Sequence, residues 1–112
     1  MFIDTAIRRT LMLRNWREWV YRIALVAKEE LGRVEVYVFG SVVEGDYTGG
    51  SDVDVLVVSP NAPDKVSDRS RLKAVIEEKL NLPYYHPFEI HIVKPEEAGI
   101  YLRKKRSAIK IL

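Results

Sequence analysis

Apolar residues recur at two different spacings along this chain, and the switches between them divide it into elements. Across residues 15–31, Trp16, Trp19, Val20, Ile23, Ala24 and Ala27 fall at the steps of one helical face, and Gly32 follows as a stop signal. The stretch before it, 3–13, either extends that helix or forms a separate turn, with Asp4 as a candidate cap. Residues 34–39 are β-branched and aromatic, and 52–58 are apolar wherever they are not aspartate, so both read as strands, the second buried. A Ser-Pro-Asn-Ala-Pro loop at 59–63 precedes a second helix over 64–80, marked by Val66, Leu72, Val75, Ile76 and Leu80. Prolines at 83 and 87 interrupt the pattern before the alternating run Phe88-Glu89-Ile90-His91-Ile92-Val93, a third strand. Pro95 then opens a last helix whose acidic start, Glu96 and Glu97, and basic finish, 103–106, match a helix dipole. Helix, strand, loop, strand, helix, strand, helix makes an α/β (α+β) fold, a small mixed sheet flanked by helices.

Composition narrows the chemistry. A chain of 112 residues that is 47% hydrophobic supports one compact core, so 1–112 reads as a single domain. It contains no Cys, which excludes disulfides and thiolate metal sites and leaves oxygen and imidazole as metal donors. A formal charge of +2 gives no global field for nonspecific nucleic-acid binding, so nucleic acid is possible as a partner but not favoured. No apolar segment has the length of a membrane span, and Asp4, Arg8 and Arg9 interrupt the start where a signal peptide is apolar, so the expectation is a soluble, cytoplasmic protein.

The chemistry is concentrated in VFGSVVEGDYTGGSDVDVLVV, residues 38–58. Asp52 and Asp54 are two apart in a predicted strand, so both carboxylates leave one face, about 6.5 Å apart along the chain. Like charges so placed need relief, and a divalent metal is the usual source. Gly40 leaves room for the backbone to turn off the preceding strand. Ser41 offers a hydroxyl and a backbone N–H where a helix begins, an arrangement that receives phosphate oxygens. Gly45, Gly49 and Gly50 make the connecting loop pliable, and Ser51 adds a donor beside Asp52.

An apolar residue, Gly40-Ser41, a spacer of ten residues and then Asp52-Val53-Asp54 resembles the signature of the DNA polymerase beta nucleotidyltransferase superfamily. The finer form, GSxxxGDYTGGSDVDVLV in so short a chain, is similar to the minimal nucleotidyltransferases of prokaryotes, the likeness spanning 34–93. The resemblance implies a polymerase beta palm-like fold and transfer of a nucleoside monophosphate, AMP from ATP in the first instance, to a hydroxyl. Asp52, Asp54 and Glu89 would be catalytic and would hold two Mg2+ ions, while Gly40, Ser41 and Ser51 would bind the nucleotide. Glu89 stands where the family often carries aspartate. Minimal nucleotidyltransferases often pair with a helical HEPN-type toxin and adenylylate a tyrosine on it, which implies an antitoxin role here. The competing expectation is a catalytically weak module that neutralises a partner by contact. A homo-oligomer is also possible.

Other polar residues are expected to be ordinary. His91 shares the Glu89 face and can reach an acceptor or nucleotide, but reads first as a partly exposed strand residue, and His86 as a loop histidine. Neither is assigned to the catalytic set. The basic run at 103–106 and the arginines at 8, 9, 14, 17 and 22 read as solvated helix faces, and Trp16, Trp19 and Tyr101 as core or interface residues.

Overall fold

The computed structural model describes residues 2–45, 52–104 and 107–112. Two helices open the chain, α1 (Phe2–Arg14) and α2 (Trp16–Leu31), so the first segment is a separate helix rather than an extension. They part at Asn15, whose backbone leaves helical geometry (φ −103°, ψ 29°), although its N–H and side-chain amide both still bond to Leu11 O. Asp4 lies inside the first turn of α1 and not ahead of it. At the other end Gly32 adopts φ +81° and donates its N–H to Lys28 O, as its place after the last periodic residue predicts. Asn61 also bonds Leu31 O through its side chain at 2.8 Å, and the fully buried Ser59 hydroxyl donates to Arg33 O at 2.6 Å. The loop after the second strand thus closes the end of α2 and satisfies carbonyls left without helical partners.

Four strands form one mixed sheet: β1 (Glu35–Phe39), β2 (Val53–Val58), β3 (Phe88–Val93) and β4 (Ile109–Lys110), in the order β3-β2-β1-β4. β1 pairs antiparallel with β2 and with β4. β2 and β3 run parallel, joined by the crossover helix α3 (Val66–Lys79), and their register sets Asp54 opposite Glu89 and Leu56 opposite His91. β4 carries no alternating run long enough to be read from sequence, and it forms only because β1 offers it an open edge. A last helix, α4 (Pro95–Lys104), starts at Pro95 as expected.

Period-two alternation sends the strands' side chains to two unlike faces. Val36, Val38, Val53, Val55, Val57, Phe88, Ile90 and Ile92 pack in one cluster with Trp16, Val20, Ile23, Ala24 and Ala27 of α2 and Ile76 of α3. On the other face Phe39, Leu56, Val58 and Val93 pack with Ala98 of α4 in a smaller cluster. α4 is fixed by Glu97, which accepts the Lys94 N–H at 2.9 Å and takes both Arg69 nitrogens at 2.7 and 3.0 Å. Those bonds hold the Glu97 carboxyl at a pKa of about 2, the Arg69 side-chain hydrogen bond contributing most. No helix among the described residues is long and apolar enough to cross a membrane.

Candidate active site

α4 covers only the part of its face where the strands are apolar. Towards the start of β2 and β3 the same face carries Asp54, Glu89 and His91, and β1 ends beside them at Phe39, opposite Asp54. Gly40 turns the chain here with φ +118°, a conformation side chains rarely adopt. A Cβ at this position would lie 3.3 Å from the Asp52 carbonyl oxygen and 3.4 Å from Asp54 Oδ2. Glycine therefore lets the exit of β1 lie directly against the aspartate strand. A 3-10 turn, Ser41–Glu44, follows at once, pinned by the buried Val42 and closed by Gly45 at φ +90°. Ser41 is brought to the head of that turn, next to the carboxylates. Ser51 lies outside the described residues.

One ligand atom each from Asp54, Glu89 and His91 lies within 4.8 Å of the others. His91 Nε2 is 3.4 Å from Asp54 Oδ1 and 3.8 Å from Glu89 Oε1. The two hard carboxylates suit Mg2+ or Mn2+, and the imidazole favours the less oxygen-selective Mn2+. The Gly40 cradle preserves the space around Asp54 that an ion would share, so the residues present fit a divalent metal. The sequence left His91 out of this set, yet it lies among the carboxylates; its place two residues after Glu89 was the available signal. Its ring also lies 5.7 Å from that of Tyr101 on α4, which borders the site.

Asp52 behaves differently from its neighbour. The strand begins at Val53, so Asp52 sits just before it, more exposed, and accepts a 2.8 Å ion pair from Arg9 Nη2 of α1. Asp54 thus stands in the trio with Glu89 and His91, and Asp52 stands on Arg9. Arg9 is correspondingly no solvated surface residue, its side chain being 19% exposed.

A groove of about 270 Å³ opens beside these residues, lined by Asp52, Lys73, Glu77, Tyr84, His86, Pro87, Phe88 and Glu89. Glu89 lies on edge strand β3 and faces it. His86 is more than a loop residue: its side chain is 8% exposed, its Nδ1 accepts the Phe88 N–H, and its Nε2 lies 2.5 Å from Glu77. With Nδ1 accepting, Nε2 carries the proton and donates to Glu77, which fixes the loop onto α3.

A mixed sheet that presents a Gly-Ser turn and carboxylates on adjacent strands defines a phosphoryl-transfer class of site. The nucleotidyltransferase domain family matches residues 20–111, and the chain belongs to that family. It is similar to the crystal structure of a candidate nucleotidyltransferase at 33% identity, with 76% of this chain and 88% of that one covered and a TM-score of 0.53. A second candidate nucleotidyltransferase, from Sulfolobus solfataricus, shares the fold at 22% identity over 95% of this chain and 85% of that one, with a TM-score of 0.59. No curated protein matches the chain.

Proposed function

We propose that this nucleotidyltransferase moves a nucleoside monophosphate, AMP from ATP in the first instance, onto a hydroxyl acceptor with release of pyrophosphate. The observation that carries this reading is the convergence of Asp54, Glu89 and His91 beside Gly40-Ser41. Asp52, Asp54 and Glu89, with His91, would hold two magnesium ions, whose chemistry is to neutralise the triphosphate and make the acceptor hydroxyl more acidic. Gly40 and Ser41 admit and bond the phosphates from the β1 side, with Ser51 assigned the same role by the motif. Glu89 faces the groove from which an acceptor can approach, and His91 Nε2, 3.4 Å from Asp54 and 3.8 Å from Glu89, would complete the ligand set.

The acceptor we favour is a tyrosine on a helical HEPN-type toxin, which would make this protein the antitoxin of the pair. Two features support it: the groove has room for one aromatic side chain, and Ile7, Leu11, Tyr21 and Leu25 are exposed on α1 and α2, apolar area suited to a protein partner. Calorimetric titration of ATP with magnesium into the protein tests the nucleotide site, with Asp54→Asn as the comparison. Metal-dependent binding that this variant loses is expected. Binding independent of metal, or absent, would leave a contact-only module.

A further inference from the structure

We propose that Arg9 of α1 supplies a cation for the triphosphate: it pairs with Asp52 and transfers to phosphate on nucleotide binding. This rests on the nucleotidyltransfer reading and adds a residue from an element outside the motif. Between Arg33 and Lys65 the sequence contains no lysine or arginine, while it carries Glu35, Glu44, Asp46, Asp52, Asp54 and Asp64. The turn that receives the phosphates is therefore acidic. A triphosphate remains anionic even with magnesium bound, and preorganised arginine is the side chain best matched to its oxygens. That cation has to come from elsewhere in the fold.

Arg9 is already in place. Its guanidinium lies 2.8 Å from Asp52 Oδ1, and the Asp52 carbonyl is the oxygen closest to where a Cβ at Gly40 would stand, at 3.3 Å. The Arg9 guanidinium is thus held on Asp52, a residue whose backbone lies against Gly40. Lys73 is a further cation near the site, lining the groove that Asp52 and Glu89 also line. The motif assigns Asp52 to the metal set, and a carboxylate shared with a divalent cation would attract a guanidinium less, which would free Arg9 towards the incoming anion. The pairing also lowers the cost of holding Asp52 and Asp54 close together before nucleotide binds.

The test compares wild type with Arg9→Gln and Arg9→Lys, and with Arg8→Gln as a control for loss of one neighbouring charge. Mn2+ binding is measured by electron paramagnetic resonance without nucleotide, and Mg·ATP binding by calorimetry, with circular dichroism reporting the fold. Arg9→Gln should weaken Mg·ATP binding about tenfold or more, with Arg9→Lys intermediate and Arg8→Gln within about twofold of wild type. Nucleotide-free Mn2+ should bind Arg9→Gln as tightly as wild type or tighter, because a competing cation has gone. Unchanged Mg·ATP affinity in Arg9→Gln would overturn the proposal, as would equal losses in the Arg8 and Arg9 variants or weakened Mn2+ binding. Wild type that binds neither Mn2+ nor Mg·ATP would bring down the nucleotidyltransfer reading itself, and the proposal with it.

Discussion

The two faces of the sheet are built from the same three strands and do opposite work. Val53, Val55, Val57, Phe88, Ile90 and Ile92 point into a dry layer under α2 and α3. Between them, Asp54, Glu89 and His91 point to the other face, where α4 covers Leu56, Val58 and Val93 and leaves the start of β2 and β3 open. One residue along a strand therefore separates a stability position from a chemical one. The difference teaches that the carboxylates can be kept close together because the layer behind them is rigid: mutual repulsion is resisted by packing on the opposite face as well as by the Arg9–Asp52 pair.

Asp54→Asn should break the contrast most strongly. Removing the Asp54 carboxylate from the trio is expected to lower pyrophosphate release about a thousandfold, the worth of a few kcal/mol of charge stabilisation. The melting temperature should be unchanged or slightly raised, because repulsion is relieved without change of volume. Loss of folding instead would place Asp54 among the structural residues.

The adjacent pair Ile90 and His91 sharpens the comparison. Ile90→Ala, on the dry face, should cost about 2–5 kcal/mol in denaturant unfolding while Mn2+ still binds the folded fraction. His91→Ala should do the reverse, weakening Mn2+ about tenfold or more, as even the outer partners of metal sites do, with little change in stability. Equal stability losses in both variants would erase the distinction between the faces.

The smallest effect belongs to the clamp that holds α4 in place. Glu97 has a pKa of about 2 in the fold against an ordinary value of 4.5, lowered chiefly by Arg69 and then by the Lys94 N–H. A depressed carboxylate pKa contributes stability that is complete above pH 4.5 and is lost as the pH falls from there through about 2. Glu97→Gln should flatten stability across that acid window and cost about 1 kcal/mol or less at neutral pH, since the pair is partly exposed. Melting curves between pH 2 and pH 7 measure both. An unaltered acid profile would show that α4 is held by its apolar contacts alone.

How far the sequence is legible varies with the range of the interactions. Strand β3 was readable to the residue because Phe88, Ile90 and Ile92 alternate without interruption between two prolines. The Gly-Ser turn and the aspartate strand were readable because both half-motifs lie in one local stretch. Strand β4 was not, since two residues carry no period and their pairing depends on the edge of β1. His86 was under-read for the same reason: its partner Glu77 belongs to the preceding helix, and only the closed loop puts them together.

Local periodicity, turn residues and the close spacing of Gly40, Ser41, Asp52 and Asp54 by themselves determined the elements other than β4 and the break between α1 and α2, the mixed α/β class and the kind of chemistry expected, because such features act between near neighbours in the chain. Tertiary structure alone decided that Asp54 stands opposite Glu89 with His91 beside them, that Asp52 pairs with Arg9 of α1, and which half of the second face α4 leaves open. Register and helix docking are set by how whole faces pack, and a charge pair between residues 9 and 52 leaves no trace in the local pattern of either segment.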